Sequence, residues 1–317
     1  MKKINTFIIP IIQHGFLKRC LETLYKYTPD NFYVFVIDQT ADGVNQNEYK
    51  GVHLWIRPYR NLGFSKAHNT GIQLSQTPYI TLLNDDVEFV NSGWWQGIMD
   101  TFAMEKKIIA VNPNSPKEGA WGYGLTSDNK DTWIPREGFV RDGDAVVPVI
   151  DGVVINTPEL AKEHYDDLLN KHPIWSKNTL CDGLAMWCTV FKKEGLQEKG
   201  LLDERFYPAG GEDYDMMGRI YSCAWPNPRE VCDPSLHRRA VGTTKSWVWH
   251  WWGKSKDDIS AKDPANPLFA SRERWNNLDE LWQMGFDCWA HGHRTDEKGQ
   301  DITYPYKRVK EIHIDDL

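Results

Sequence analysis

The chain has 317 residues, 41% of them hydrophobic and 13% aromatic, with a formal net charge of −7. That length suits one large domain, or one domain with a substantial addition, and the mild acidity argues against holding nucleic acid or a membrane by bulk charge. No apolar stretch reaches the ~20 residues of a membrane helix, and six scattered cysteines without a CxxC pair read as reduced thiols.

Residues 1–16, "MKKINTFIIPIIQHGF", place two lysines before an apolar run, as a signal peptide does. Asn5, Thr6 and Pro10 interrupt that run, no small-residue cleavage site follows, and a helical pattern begins. The segment reads as a first strand, "NTFIIPII", in a cytoplasmic protein, with peripheral membrane association left open. A helix follows in "GFLKRCLETLYKYT", where Phe16, Leu17, Cys20, Leu21, Leu24 and Tyr25 recur at helical spacing and Pro29 lies beyond the end. "NFYVFVIDQT" is a second strand ending on Asp38, "VHLWIRPY" a shorter third, "GFSKAHNTGIQLSQ" a helix opened by Gly63, and "YITLLNDDV" a fourth strand. Strand–helix repeats whose strands are apolar without alternation imply an α/β fold with a mostly parallel sheet covered on both faces. Ligands collect at the carboxyl ends of such strands. Three ends here are polar: residues 10–14, 38–42 and 84–86.

"SGWWQGIMDTFAMEKK" reads as another helix. Residues 112–180, rich in Asn, Pro, Gly, Asp and Trp, read as a long irregular insert, either a binding region or a small sub-domain. Patterning returns with a strand leading into a helix in "LAMWCTVFKKEGLQEKG" and an acidic helix start in "GGEDYDMMGRIYSCA". These shifts divide the chain into a first half at 1–111, the insert at 112–180, a second half at 181–260, and a C-terminal helix and polar tail at 261–317.

Three clusters could carry chemistry. Asn84, Asp85 and Asp86 end a buried strand; carboxylates there are hard ligands for Mg2+ or Mn2+ with substrate phosphates completing the shell, or they are a polar turn. Glu212, Asp213 and Asp215 lie within one helical turn beside Gly210 and Gly211. Acids at a helix start are favoured by the dipole, yet three exceed what capping needs, and one is a candidate general base. In "SWVWHWWGKS", His250 sits among Trp247, Trp249, Trp251 and Trp252. It is either a packed histidine or a nitrogen ligand beside rings that stack on sugars, with Trp249 and Trp251 sharing one strand face.

Taken in order, "FIIPII", "VFVIDQTADG", "RNLGFSKAHNTGI", "LLNDDV", "GLAMWCTVFKKEGLQEKGLLDERFYPAGGEDYDMMGRI" and "HWWGKS" resemble the family 2 glycosyltransferases of the GT-A fold, across roughly 4–110 and 180–255. The resemblance implies a GT-A-type sheet and inverting transfer of a hexosyl or deoxyhexosyl group from a nucleoside-diphosphate sugar to a hydroxyl acceptor. That acceptor is a glycan, a protein side chain or a modified base. It implies Asp213 as catalytic base, and Asp86 with His250 as contacts to Mn2+ or Mg2+ and the diphosphate. Pro10, Asp38, Asn61, Gly63, His68, Asp85, Gly211 and Glu212 would lie on the donor, Asp38 against the base. Trp249, Trp251 and Trp252 would meet the acceptor. One departure stands out: the first position of the family's DxD motif is Asn84, as in members resembling rhamnosyltransferases, which leaves less negative charge for a metal. Two other classes compete. A carbohydrate-binding module with a tryptophan platform would need no nucleotide, and a nucleotidyltransferase would carry a Gly-rich basic loop that "IIPIIQHGFLK" lacks.

Overall fold

A computed structural model describes residues 2–13, 15–40, 43–117, 125–129, 132–135, 137–143, 145–171, 180–182, 185–204, 206, 209, 212–221 and 238–251. The expected tail at 261–317 lies outside these residues. The first half builds four parallel strands, β1 (Asn5–Ile11), β2 (Phe32–Asp38), β3 (Leu54–Ile56) and β4 (Tyr79–Leu83), joined through α1 (Leu17–Tyr27) and α2 (Gly63–Leu74). Successive strand side chains point to opposite faces. Phe7, Ile9 and Ile11 of β1 therefore pack with Leu17, Cys20, Leu21 and Leu24 of α1, while Ile8 packs on the other side with Ala67 and Ile72 of α2. The α1 residues recur at i, i+3, i+4 and i+7, which gives that helix a single apolar stripe. Each large side chain fully buried this way contributes roughly 1.5–3 kcal/mol of transfer free energy.

Beyond β4 come β5 (Val87–Glu88), α3 (Gly93–Met104) and β6 (Ile108–Asn114). The region expected to be irregular then contains a hairpin of β7 (Leu125–Asn129) and β8 (Thr132–Pro135), and a meander of β9 (Phe139–Asp142), β10 (Ala145–Ile150) and β11 (Val153–Val154). Two short helices follow, α4 (Pro158–Glu163) and α5 (Tyr165–Lys171). Thr157 caps α4 by accepting from Leu160 N at 3.2 Å, and Pro158 opens it without a missing donor. The boundary drawn at 111/112 thus cuts a sheet strand. Pro113 concealed it; this residue lies past the last pair with its antiparallel neighbour, where an absent N–H removes no bond to that strand.

The second half supplies β12 (Leu180–Asp182), β13 (Cys188–Lys192), α6 (Lys193–Lys199), α7 (Glu212–Tyr221), β14 (Arg239–Trp247) and β15 (Trp249–His250). Among the described residues the central sheet has eight strands in the order β12-β14-β6-β13-β4-β1-β2-β3. Only β12 and β13 run against the others, so the expected mostly parallel α/β sheet is present. Helices α1 and α3 cover one face, and α2, α6 and α7 the other. No helix among the described residues is long and apolar enough to cross a membrane.

Helix α3 lies against β14 through Gly97, where an added Cβ would sit 1.9 Å from Lys245 O. The same contact is bridged by Thr101 Oγ1 donating to Thr243 Oγ1 at 2.8 Å. Gly97→Ala should therefore cost about 1–3 kcal/mol through overpacking, read as a lower urea midpoint. Gly15→Ala, with nothing within 4 Å of the added Cβ, should leave the midpoint almost unchanged.

Candidate functional site

Parallel strands β1, β2, β4, β6 and β14 finish at one edge of the sheet, and antiparallel β13 begins there. The chain leaves β4 at Asn84, whose N donates to Trp187 O at 2.8 Å. Asp85 and Asp86 follow at 5% and 3% exposure. The next two residues, β5, pair antiparallel with β15, His250 opposite Val87, and Trp251 N donates to Asp86 O at 3.0 Å. This short ladder brings His250 Nε2 to 3.3 Å from Asp86 Oδ1. Two further contacts orient the histidine: its ring lies parallel on Trp187, centroids 4.8 Å apart and tilted 11°, and its N donates to Ser115 Oγ at 3.1 Å. The Asp86–His250 pairing expected from the resemblance is thus a contact in space. Trp187 and Ser115, which hold it, carried no sequence signal beyond lying at strand ends.

A divalent ion would find two converging ligand atoms here. Asp86 Oδ1 is buried and makes no hydrogen bond, and a carboxylate oxygen beside an imidazole nitrogen suits Mn2+ or Mg2+ with other oxygens completing the shell. No cluster of three or more His, Cys, Asp or Glu ligands occurs among the described residues, so these residues alone make an incomplete shell.

The tryptophans sort differently from expectation. Trp249 is wholly buried in a cluster with Trp247, Tyr165 and Leu168, so it offers no face to an acceptor. Trp251 meets Trp249 edge to face at 5.8 Å, which matches the expected shared strand face. It is half-buried and pinned: its Nε1 donates to Glu88 Oε1 at 2.6 Å, and the Arg19 guanidinium lies 5.6 Å from its ring. Glu88 in turn takes Arg19 Nε at 3.0 Å. Trp252 lies outside the described residues.

On the donor side, Pro10 is half-buried beside Ile37, and Ile11 pairs with Asp38. The Asp38 carboxylate is buried and turned onto its own loop. It accepts from Thr40 N at 3.0 Å, Thr40 Oγ1 at 2.5 Å, Val44 N at 3.3 Å and Trp55 Nε1 at 3.4 Å, with Arg57 Nη1 at 3.8 Å. As placed, Asp38 ties Thr40 and Val44 to the end of β2, a role the expected base contact did not include. Gly63 begins α2 at φ +75°, a conformation that favours glycine. The first donors of that helix go to side-chain amides: Leu62 N to Gln39 Oε1 at 2.7 Å, and Gly63 N to Asn61 Oδ1 at 2.8 Å. Gln39 was not foreseen.

His68 is fully buried beside the Phe64 ring at 4.2 Å. Its Nδ1 lies 3.0 Å from Phe64 O, so Nδ1 carries the proton and Nε2 is a bare acceptor with no partner. Burial pushes its pKa down to about 3, with the Phe64 carbonyl acting weakly the other way. A neutral imidazole cannot serve as a cation for a diphosphate.

The three acids of α7 separate by environment. Asp215 is buried and held by Arg219, with Nη2 at 2.7 Å and Nε at 3.0 Å from Oδ2. Glu212 is buried, and Asp213 keeps part of its surface. Gly211 lies outside the described residues. Asn69 of α2, not assigned a role from sequence, bonds the segment that precedes α7. The Cys20 thiol beneath β4 is pushed well above its usual range by burial first and by Asp85, Cys188, Asp86 and Glu88 after it, so it stays protonated and unreactive.

Residues 6–149 match the family model described as Glycosyl transferase family 2. Among solved structures, GalNAc-T7 crystallised with UDP, GalNAc and Mn2+ aligns at a TM-score of 0.48 and 17% identity, covering 92% of this chain. The chain spans 58% of that protein's length. The mannosyltransferase PcManGT from Pyrobaculum calidifontis, in complex with GDP-Man and Mn2+, aligns at 0.45 and 11% identity, covering 92% of this chain and 74% of that one. No curated protein sequence gives a match.

His68 makes stability depend on pH. Its folded pKa of about 3 lies below the ordinary value, so the unfolded chain takes up a proton that the folded chain refuses. The contribution is whole above about pH 6.5 and is lost as pH falls towards 3. The urea midpoint of the wild-type protein should drop over that range, and His68→Gln should flatten the drop by the equivalent of one proton.

Proposed function

We propose, from the match of residues 6–149 to the glycosyl transferase family 2 model, that the chain is a metal-dependent inverting glycosyltransferase. It moves a hexosyl or deoxyhexosyl group from a nucleoside-diphosphate donor to a hydroxyl acceptor, a glycan in the reading the half-buried indoles favour. The observation that carries this is the meeting of Asp86 with His250, two buried ligand atoms from opposite halves of the chain, 3.3 Å apart at the carboxyl edge of the sheet. Nothing in the packing of a core requires a carboxylate oxygen there without a hydrogen bond.

In this reading Asp86 and His250 hold Mn2+ or Mg2+, which when bound offsets charge on the departing diphosphate. Asp213 takes the proton of the acceptor hydroxyl. The acceptor oxygen then forms its bond to the anomeric carbon as the carbon–diphosphate bond breaks on the opposite face, and that electron pair leaves with the diphosphate. Asp213 suits a base better than Asp215, because Arg219 holds Asp215 as a buried ion pair while Asp213 keeps exposed surface. Asn84 lowers the negative charge beside the ion, so metal affinity should lean on His250. Trp187 and Trp251, both half-buried near His250, are the indoles placed to meet a sugar. A binding module built on a tryptophan platform fits less well, since Trp247 and Trp249 are core residues.

Thermal-shift screening of UDP-, GDP- and dTDP-sugars with and without Mn2+ should give a metal-dependent shift for one nucleotide class. Asp86→Asn or His250→Ala should weaken that binding by more than the ~10–100-fold that loss of a supporting contact costs a metal site. Asp213→Asn should keep nucleotide binding and lower transfer by about 10²–10⁴-fold. Wild-type turnover in that variant would remove Asp213 as the base.

A further inference from the structure

Asn69 sits in the middle of α2, wholly buried, and serves its own helix in no way. Its amide crosses instead to the second half of the chain. Nδ2 donates to Leu202 O at 2.9 Å and to Glu204 Oε1 at 3.1 Å, and Oδ1 accepts from Leu202 N at 3.0 Å. One side chain thereby engages both backbone groups of Leu202, as a neighbouring strand would. Lys66, one turn earlier on α2, adds an ion pair to Glu204 at 3.8 Å.

The same segment is gripped from its other side. Arg219 of α7 donates Nη1 to Lys199 O at 2.8 Å and to Leu201 O at 2.9 Å, while its Nε and Nη2 hold Asp215. Residues 201–204 belong to no helix or strand, so no regular ladder sets their place. Two buried polar side chains do so, one from α2 and one from α7. Apolar packing tolerates sliding; a buried amide or guanidinium does not, because a shift of one residue leaves desolvated donors without partners.

We propose that Asn69 is a positioning residue, and that through Leu202 and the Arg219–Asp215 pair it locks the start of α7 to α2. The inference rests on the donor reading above, in which α2 borders the nucleotide and α7 carries the base. An ordered α2 then orders the acid-bearing helix, and a nucleotide bound on one side fixes the position of Asp213 on the other.

Hydrogen–deuterium exchange on the full chain tests this, with UDP, GDP and dTDP as probes, each with Mn2+. In the wild-type protein the nucleotide that binds should slow exchange at both 63–74 and 212–221. In Asn69→Ala, and in Asn69→Asp, which keeps the volume and the Leu202 N bond but loses both donations, slowing should persist at 63–74. At 212–221 it should fall by about tenfold, as expected when a local opening is uncoupled. Binding per folded molecule should stay within about threefold, a change of under 1 kcal/mol. Slowing at 212–221 that survives in both variants overturns the proposal. So does loss of binding in step with loss of folded protein, which would mark Asn69 as structural support alone. Absence of slowing anywhere in the wild-type protein, with all three nucleotides, removes the donor reading and the inference with it.

Discussion

Three carboxylates lie out of water where β4 leaves the sheet, and the edge of the molecule is organised around that fact. Asp85, Asp86 and Glu88 are all buried within four residues of chain. A carboxylate in such a place costs several kcal/mol unless a cation or strong donors offset it. Glu88 is answered by Arg19 from α1 and by the indole N–H of Trp251. Asp86 Oδ1 has no hydrogen bond among the described residues, and His250 Nε2 lies 3.3 Å from it because β15 docks on β5 in a register that sets His250 opposite Val87. The last described strand is therefore needed by the fourth one, although most of the chain separates them. Trp187 and Ser115 keep the imidazole in that position, so β13 and the end of β6 take part as well.

A second polar network does for the other face what the acids do for the edge. Asn69, Arg219 and Asp215 are all buried; Asn69 and Arg219 bond the 199–204 segment, and Arg219 also holds Asp215. Around both networks the core is apolar and continuous on each side of the sheet. Stability comes mostly from that core, while the polar contacts decide which of many compact arrangements is adopted. The two networks also divide the acids by role. Those paired with Arg19 or Arg219 are neutralised in place. Asp86 faces a histidine that can equally serve a metal, and Asp213 retains exposed surface.

Much of the first half could be read from residues alone. Phe7, Ile9 and Ile11 alternating with Ile8, and Leu17, Cys20, Leu21 and Leu24 at helical spacing, leave few choices of element once burial on both faces is assumed. Asp38 is visible as a strand end, but its bonds from Thr40 N and Val44 N are local side-chain-to-backbone contacts that an Asp offers as readily as a ligand contact. The strands of the insert escaped because several span only two to five residues, too short for a period to show. β6 escaped because Pro113 and two asparagines look like a loop. The burial of Trp249 is not legible in the sequence, because alternation tells which side chains share a face and not which face turns inward.

Local residue patterns are enough for the element types of the first hundred residues, the polar character of three strand ends, and the acidic start of α7. Those features depend on neighbours within a few positions, where covalent geometry and the period of burial leave little freedom. Long-range packing is what brings His250 to Asp86 and Asn69 to Leu202, and what puts Trp249 in the core while Trp187 stacks on His250. Each of these joins residues far apart in the chain. Such a contact is selected by how whole layers pack and by which buried polar atoms must find partners, and no local pattern contains that information.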